Sequence, residues 1–465
     1  RCRYPLLDLT GQTSLIELTC LLKEADLLVT NDSAILHLAS YLDRAIVAIF
    51  GPTNESKYGP WSSKSAFVKK DIACRPCENA QCHFNSLECI QMVQVEDVLK
   101  QVRNIMQEGL SPQSYPEVVL KGIVPKRILI ARTDRIGDVV LSTPVIKAVR
   151  EKYPSAYIAM MVSPYTKEIV EGNPYLDEVI IYDKDTKHKS WRRTFEFARN
   201  LKKKRFDLAL ILHPTNRVHL VAFLAGIKRR IGYDRKLAFL LTDRVFHTKQ
   251  YGQKHELEYN LDLLKILDIV SSDKNIFVPV KPEAVQAVGE LLRQEGVKEK
   301  DTLLAINPGA SCPSKIWSAQ RFAEVADRLV QEYGFKVLVI SGPKDRALAQ
   351  NLVTNMREKA IDLAGRLSLS QIAALLSRCS LFISNDSGPV HIGSAVGVPV
   401  ISIFGRDQKG LSPKRWGPVG KRDRFLHKPA GCIECLAHNC VQEFKCLQSI
   451  TVDDVVQTAE AILKN

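Results

Sequence analysis

The segment Leu381-Phe-Ile-Ser-Asn-Asp-Ser-Gly-Pro-Val-His391 constrains this chain most. Its apolar start reads as a buried strand running into Asn385-Asp386-Ser387-Gly388. Gly388 frees the backbone to turn and lets a ligand approach closely. Pro389 to Ala395 reads as the first turns of a helix, where the missing proline N–H costs nothing. A strand, a small-residue turn and a helix N-terminus make an anion site, with free N–H groups and the positive dipole end facing outward. The same residues also suit an ordinary helix cap. Taken singly, the segment does not choose between the two.

It occurs twice. Asp8-Leu-Thr-Gly11 returns as Asp362-Leu-Ala-Gly365, Leu27-Leu-Val-Thr-Asn-Asp-Ser33 as Leu381 to Ser387, and Ile46-Val-Ala-Ile-Phe-Gly51 as Val400-Ile-Ser-Ile-Phe-Gly405. Asp8 and Asp362, Asp32 and Asp386, Phe50 and Phe404 all stand 354 positions apart. Further on, Cys74, Cys77, Cys82 and Cys89 match Cys432, Cys435, Cys440 and Cys446, with a slightly different last spacing. Each copy ends in a helix-like stretch, Val95 to Met106 and Val452 to Leu463. A repeat this long is a domain duplication, not a solenoid period. Residues 1–106 are therefore expected to be a partial copy of the C-terminal domain. A start at Arg1, part-way through a domain, predicts a fragment or processed form of a longer tandem protein.

At 465 residues, two to four domains are expected. Apolar content of 45% and charged content of 25% are those of a soluble globular protein. No apolar run approaches the roughly 20 residues that span a bilayer, and the start does not read as a signal peptide. The expected location is the cytoplasm, including the inner face of the cytoplasmic membrane as a peripheral protein. The net charge of +14 favours acidic partners such as sugar nucleotides, phosphorylated lipids or an anionic membrane surface. Nucleic acid is not expected, because no helix-turn-helix, RNA-binding aromatic signature or zinc-finger spacing is present.

Residues 107–124, with Ser111-Pro112, Tyr115-Pro116 and Gly122, read as a linker. A second domain is expected over 125–280. Its strands read at Arg127 to Ala131, Tyr157 to Val162, Glu178 to Tyr182 and Asp207 to His213, with a helix from Asp138 to Arg150. Alternating short apolar strands and helices imply a parallel sheet wound on both faces. No GxGxxG follows a strand, so an ordinary dinucleotide site is unsupported. Lys184 to Arg205 holds ten Lys or Arg against two acidic residues, with Trp191-Arg192-Arg193 at its centre. It reads either as a solvated helix face or as a surface for an anionic acceptor or membrane headgroups.

Glu256 to Leu267 is helix-like, and Pro279-Val-Lys-Pro282 suggests a hinge into a last domain over 281–465. Strands ending near Asn307, Ser341 and Asn385 should send the loops 307–315, 341–345 and 385–391 from one carboxyl edge. That edge is where open α/β sheets bind ligands.

Taken together, several motifs resemble glycosyltransferase family 9, the heptosyltransferase family. They are Arg132-Thr-Asp-Arg-Ile-Gly-Asp-Val-Val-Leu-Ser-Thr-Pro144, Asn173-Pro-Tyr-Leu-Asp-Glu-Val179, Arg229-Arg-Ile-Gly-Tyr233, Asn307-Pro-Gly-Ala310 with Lys315 and Trp317, and Asn385 to His391. The match runs from about Lys126 to the C-terminus, and the first 106 residues resemble only the C-terminal domain. The resemblance implies a GT-B fold, two Rossmann-like doubly wound domains facing across a cleft, plus the extra N-terminal partial domain. It implies inverting transfer of heptose from ADP-heptose to the inner core of lipopolysaccharide, an anionic lipid-linked glycan acceptor, and no required metal. Asp138 aligns with the family's proposed base, and one carboxylate taking the acceptor proton suits inversion; the other reading of Asp138 is a helix N-cap. Lys315 aligns with the lysine on the donor diphosphate, where a cation offsets leaving-group charge; the alternative is a solvated loop lysine. Gly309, Ser314, Asp345, Asp386, Ser387, Gly388 and His391 are the candidate donor contacts. Asp386 is expected to cap the helix or meet sugar hydroxyls, while the N–H groups of Ser387 and Gly388 face phosphate. His391 either bonds the donor or satisfies its own loop. Arg192 and Arg193 are the candidate acceptor contacts.

In the first copy Ala34 and Ile35 replace Gly388 and Pro389, and no base-bearing domain precedes it, so it should not catalyse transfer alone. Each four-cysteine set can hold a tetrahedral structural zinc or stay as free thiols; Cys2, Cys20, Cys312 and Cys379 read as packing residues. Two other functions fit less of the pattern: a GT-B transferase or epimerase for another nucleotide-sugar, and a non-catalytic nucleotide-sugar-binding scaffold.

Overall fold

A computed structural model of the chain describes residues 7–62, 64–79, 81–107, 124–432 and 435–464. Of the expected linker over 107–124, residues 108–123 lie outside the described residues, as does Cys2, and Gln107 ends the helix Val95–Gln107. The chain divides into two compact units, Arg1–Gly122 and Ile123–Asn465.

In the first unit three parallel strands, β1 (Leu27–Asn31), β2 (Ala45–Ile49) and β3 (Ser65–Val68), lie in the order β1-β2-β3. The apolar run of β2 lies at the centre of this small sheet, and Leu22, Leu36, Ala39, Ile46, Ala48 and Phe50 form the core. Helix Leu15–Glu24 starts at a capping box, in which the Ser14 hydroxyl accepts from the Glu17 N–H and Glu17 accepts from the Ser14 N–H.

The second unit holds two six-stranded sheets. The first contains β4 (Arg127–Ala131), β5 (Tyr157–Val162), β6 (Glu178–Ile181), β7 (Leu208–Ile211), β8 (Arg229–Tyr233) and β9 (Asp243–Val245), in the order β6-β5-β4-β7-β8-β9. The other contains β10 (Leu303–Asn307), β11 (Lys336–Val339), β12 (Ala360–Asp362), β13 (Leu381–Asn385), β14 (Val400–Ile403) and β15 (Arg424–Leu426), in the order β12-β11-β10-β13-β14-β15. Every pairing in both sheets is parallel. The order reverses between β4 and β7 and again between β10 and β13, which opens a crevice at each carboxyl edge. Central strands are near-continuous apolar runs because helices cover both faces, and β10 and β13 are buried along their whole length. One continuous buried cluster runs from Ile128 and Val139 through Leu257 and Leu264 to Leu375, Phe382 and Ile392, so the two sheets' bodies share a core. This is a GT-B architecture of two Rossmann-like halves.

The helix expected from Asp138 to Arg150 is two helices, Ile136–Val140 and Thr143–Lys152. Pro144 has no N–H for the Val140 carbonyl. The Thr143 hydroxyl takes that carbonyl at 2.7 Å, and the Ser142 hydroxyl takes the Asp138 carbonyl at 2.7 Å. The break shortens the helix that carries Asp138 to little more than one turn. The helical reading of Glu256 to Leu267 also divides, into helix Glu256–Asp262 and a 3-10 turn over Leu263–Leu267.

Candidate active site

The crevice beyond β4 is built by the loop Arg132-Thr-Asp134 and the short helix behind it. Arg132 is the hub, with a side chain only 3% exposed. Its Nε donates to Asp134 Oδ1 at 2.8 Å, and its Nη2 donates to Asp138 Oδ1. Both Nη1 and Nη2 reach Glu256 Oε1 at 3.2 Å, and Nη1 also meets Asn260 Oδ1 at 3.1 Å. Lys249 Nζ donates to the same Glu256 oxygen at 2.6 Å. The other oxygen, Oε2, accepts from Arg415 Nε at 3.0 Å and Nη2 at 2.7 Å. Three cations and three carboxylates thus meet in a nearly dry place, where a charge without a partner would be very costly.

Burial pushes the Asp138 carboxyl up to about 6, the Asp134 charge pushes the same way, and Arg132 opposes them. Asp134 is also raised, chiefly by burial. Burial alone would raise Glu256, yet the charges of Lys249, Arg132 and Arg415 carry it below the usual carboxylate range. Burial lowers Lys249 to about 8. His213, with Nδ1 3.6 Å from Asp134 Oδ2, is held down to about 4 by burial and is neutral. A carboxyl with a pKa near neutrality, held by one guanidinium, can exchange a proton with a bound hydroxyl. Asp138 does not cap its helix: Arg135 occupies the N-cap, and Asp138 lies in the first turn.

The other sheet's crevice faces it. Helix Gly388–Val396 packs directly on helix Ile136–Val140. A Cβ on Gly137 would fall 2.6 Å from His391 Cδ2, and one on Gly388 would fall 2.8 Å from Ile136 Cβ. Glycine at both positions lets the two helix starts touch. His391 is 3% exposed, its Nδ1 has no hydrogen-bond partner among the described residues, and burial lowers it to about 3, so the ring is neutral. Of the two readings of His391, satisfaction of its own loop finds no support at Nδ1.

Two buried asparagines tie the crevice loops together. Asn307 Nδ2 donates to Ser384 Oγ at 3.0 Å and Ser387 Oγ at 2.9 Å. Asn385 Nδ2 donates to the Pro308 carbonyl at 2.7 Å, and its Oδ1 accepts from the Trp317 N–H at 3.0 Å. The loop is fixed in this way, and Lys315 Nζ sits 2.9 Å from Asp386 Oδ2, which also accepts from Arg406 Nη2 at 3.1 Å. Asp386 therefore pairs with two cations and does not cap the helix; Ser387 stands at the N-cap and makes no side-chain cap bond. Lys315 is buried, not a solvated loop residue. Gly309 lies against Asp345, since a Cβ there would fall 2.7 Å from Asp345 Oδ2, and burial raises the Asp345 carboxyl. Ser314 is buried, with Oγ 3.3 Å from His438 Nδ1. The structure thus gathers Gly309, Ser314, Lys315, Asp386, Ser387, Gly388 and His391 at one carboxyl edge, with Asp138 opposite.

Arg192 and Arg193 are not part of this cluster. They open helix Trp191–Lys203 and pair with Glu196 on the same helix, at 3.3 and 3.1 Å. Trp191 is half exposed, with the Arg217 guanidinium 4.9 Å from its ring centre. Cys432, Cys435, Cys440 and Cys446 line one small cavity beside Ser314 and Arg406, and the Cys446 thiol donates to the Gly405 carbonyl. Among the described residues, however, no group of three or more His, Cys, Asp or Glu side chains is placed to hold a metal ion, in this set or in Cys74, Cys77, Cys82 and Cys89. The zinc reading finds no geometric support. Of the cysteines read as packing residues, Cys379 is buried, Cys312 partly buried and Cys20 exposed.

Lys249, Glu256, Arg406 and Arg415 had no motif around them. Arg132 and Asp134 stood inside a quoted motif without an assigned role. Polar residues flanked by apolar helix positions, such as Glu256, were the available signal, but a helix start normally favours an exposed Glu.

A model of the family described as glycosyltransferase family 9 (heptosyltransferase) matches residues 1–88 and 194–445. Lipopolysaccharide heptosyltransferase 3 of Escherichia coli strain K12 is 27% identical over 338 residues, 70% of this chain and 95% of that protein. The crystal structure of a family 9 glycosyltransferase from Veillonella parvula superposes with a TM-score of 0.66 and 27% identity, covering 73% of this chain and 97% of the other. The structure of E. coli ADP-heptose lipopolysaccharide heptosyltransferase II gives a TM-score of 0.61 at 22% identity, over 73% and 98% of the two chains, a likeness of fold. With the model matching well over half of its length, this chain belongs to glycosyltransferase family 9, the heptosyltransferases.

Proposed function

We propose that this glycosyltransferase moves heptose from ADP-heptose to the inner core of lipopolysaccharide with inversion at the anomeric carbon. Asp138 is the general base, Lys315 acts on the donor diphosphate, residues 125–280 form the acceptor side and 281–465 the donor side. The observation that carries this reading is the packing of the short helix that bears Asp138, whose carboxyl is raised to about 6, against the helix start Gly388–Val396. The acceptor hydroxyl gives its proton to Asp138 as its oxygen bonds to the anomeric carbon. The bond from that carbon to the diphosphate oxygen breaks, and ADP leaves with the electron pair. Free N–H groups at the Ser387–Gly388 helix start, with Lys315 and Arg406, offset the charge that grows on the diphosphate. Asp386 holds both cations in place. Asp345, beside Gly309, takes ribose hydroxyls.

The heptose donor and core acceptor are supported by the family and by relatives named for that activity. Arg192 and Arg193, exposed on a basic helix, suit an anionic lipid-linked acceptor at the cytoplasmic membrane face. No helix among the described residues is long and apolar enough to cross a membrane. The test is transfer from ADP-heptose to a Kdo-bearing lipid A acceptor by the full chain and by Asp138→Asn. Loss of about two or more orders of magnitude in the variant supports the base. Wild-type transfer by the variant refutes it, and transfer from a different nucleotide-sugar with none from ADP-heptose refutes the donor.

A further inference from the structure

The two oxygens of Glu256 serve different halves of the second unit. Oε1 takes Lys249 at 2.6 Å and Arg132 at 3.2 Å, both on the β4–β9 side, and Arg132 in turn holds Asp138. Oε2 takes Arg415 at 2.7 and 3.0 Å. Arg415 belongs to helix Pro413–Trp416, which follows β14 on the other side. Glu256 itself stands on helix Glu256–Asp262, anchored to the first side by Asn260 Nδ2 donating to the Leu141 carbonyl at 3.2 Å. The contact is reinforced around it. Arg415 Nη1 donates to the Lys249 carbonyl at 3.0 Å, His255 Nε2 lies 2.9 Å from the Gly417 carbonyl, and a Cβ on Gly252 would fall 1.7 Å from the Lys409 carbonyl oxygen.

We propose that Glu256 is a positioning residue that couples closure of the two halves to the catalytic carboxylate, Arg415 latching onto one of its oxygens while the other holds Arg132 against Asp138. The proposal rests on Asp138 as the base. It goes beyond that assignment by making the base's partner depend on a contact from the donor side.

The physical reason lies in the bookkeeping of a buried anion. Glu256 is 1% exposed and cannot shed its charge to water. With Arg415 in place the anion is shared among three cations, and Arg132 is free to serve Asp138 and Asp134. With Arg415 withdrawn, Glu256 draws on Arg132 and Lys249 alone, so Asp138 loses part of its hold and of its stabilising charge. The charged and titratable groups facing Asp138 are Arg132, Asp134 and Arg135 on its own loop, Glu256 and Lys249 beyond Arg132, His213 after β7, Tyr165 after β5, and His391 across from Gly137.

The experiment compares the full chain with Glu256→Gln, Arg415→Met, the double variant and Asp138→Asn, measuring transfer from ADP-heptose against pH. Calorimetric ADP binding and thermal melting serve as controls for the donor site and the fold. Each single variant should lose about 10- to 100-fold in kcat, with ADP affinity within about threefold. The double variant should be no slower than the worse single, because both break one linkage. The acid limb should move in opposite directions: down in Glu256→Gln, which removes an anion near Asp138, and up in Arg415→Met, which removes a cation. Arg415→Lys, which keeps the charge, should recover part of the rate. Losses that multiply in the double variant, or limbs that move the same way, overturn the latch, as do wild-type rates in both singles. If Glu256→Gln melts too low to assay, the opposing limb shift is read from Arg415→Met and Arg415→Lys alone, and an unmoved limb in Arg415→Met overturns the proposal. An active Asp138→Asn refutes the base reading itself. A dead Asp138→Asn beside wild-type Glu256→Gln and Arg415→Met refutes the latch and leaves the base standing.

Discussion

Replacing Gly388 by alanine adds one methyl group where the two halves touch. Its Cβ would fall 2.8 Å from Ile136 Cβ and 3.1 Å from Ile136 Cγ2, with the Gly137 nitrogen at 3.4 Å. Ordinary contact begins near 3.4 Å. The nearest atom is a β-carbon fixed to backbone, so no rotamer change relieves the clash, and the two helix starts must separate by more than half an ångström. Overpacking of this kind costs about 1–3 kcal/mol. The cost falls on the contact between the two helix starts, where the halves meet. Alanine suits a helix at least as well as glycine, so the helix itself is not the casualty. If transfer needs the closed arrangement, kcat/KM should fall by roughly 5- to 150-fold at about 1.4 kcal/mol per decade. The thermal midpoint should fall by only about a few degrees, the shift that such a cost produces in a body of this size. The assay is initial-rate transfer from ADP-heptose, with Ile136→Gly added as a compensating change that removes both nearest atoms and should restore part of the rate. Activity within twofold of the parent would refute the argument that these helix starts must touch for transfer. The first copy carries Ala34 at the matching position, so it lacks the gap that a partner loop of this kind would need.

Two further outcomes follow from the same geometry. With the Asp138 carboxyl raised to about 6, the base is ionised above that pH and protonated below it. Log kcat/KM should therefore be level above about pH 6 and fall by one per pH unit below, and a limb near pH 4 would contradict the buried setting. Asn385→Ala removes the bonds to the Pro308 carbonyl and the Trp317 N–H and leaves both groups buried without that partner. Stability should drop by about 2–4 kcal/mol, read as a lower urea midpoint, with donor affinity falling because Lys315 lies on the loop so released. An unchanged midpoint would mean the loops are held by something else.

Much of the fold was legible in the residues. The central strands read as short apolar runs because both faces are covered; β4 and β5 begin, and β10 ends, where expected. The edge strands β9, β12 and β15 are three residues long and include charged or polar positions, so no periodicity announces them. The break after Val140 was present in Pro144, but the Asp138 to Arg150 pattern kept its apolar spacing through the break, and only the side-chain bonds of Ser142 and Thr143 mark it. At the site, the loops after β10 and β13 were placed at one edge because parallel strands must send their ends the same way. The partner of Asp386 was not visible. Its salt bridges come from Lys315 and Arg406, 71 and 20 positions away, and local pattern favoured a helix cap.

The sequence by itself determined which groups are available and on which edges they stand. Local propensity and chain direction decide both, from Arg132 and Asp138 after β4 to Asn385 and Gly388 after β13. The tertiary structure alone decided which charges share a dry space. Arg132, Lys249, Glu256 and Arg415 are spread over nearly 300 positions; the first three meet as one half folds, and Arg415 joins them only because the two halves pack together. A carboxylate's proton affinity depends on burial and on neighbours within a few ångströms. No pattern along the chain carries that information, so the raised Asp138 carboxyl could be read only once the fold had placed Arg132, Asp134 and Glu256 around it.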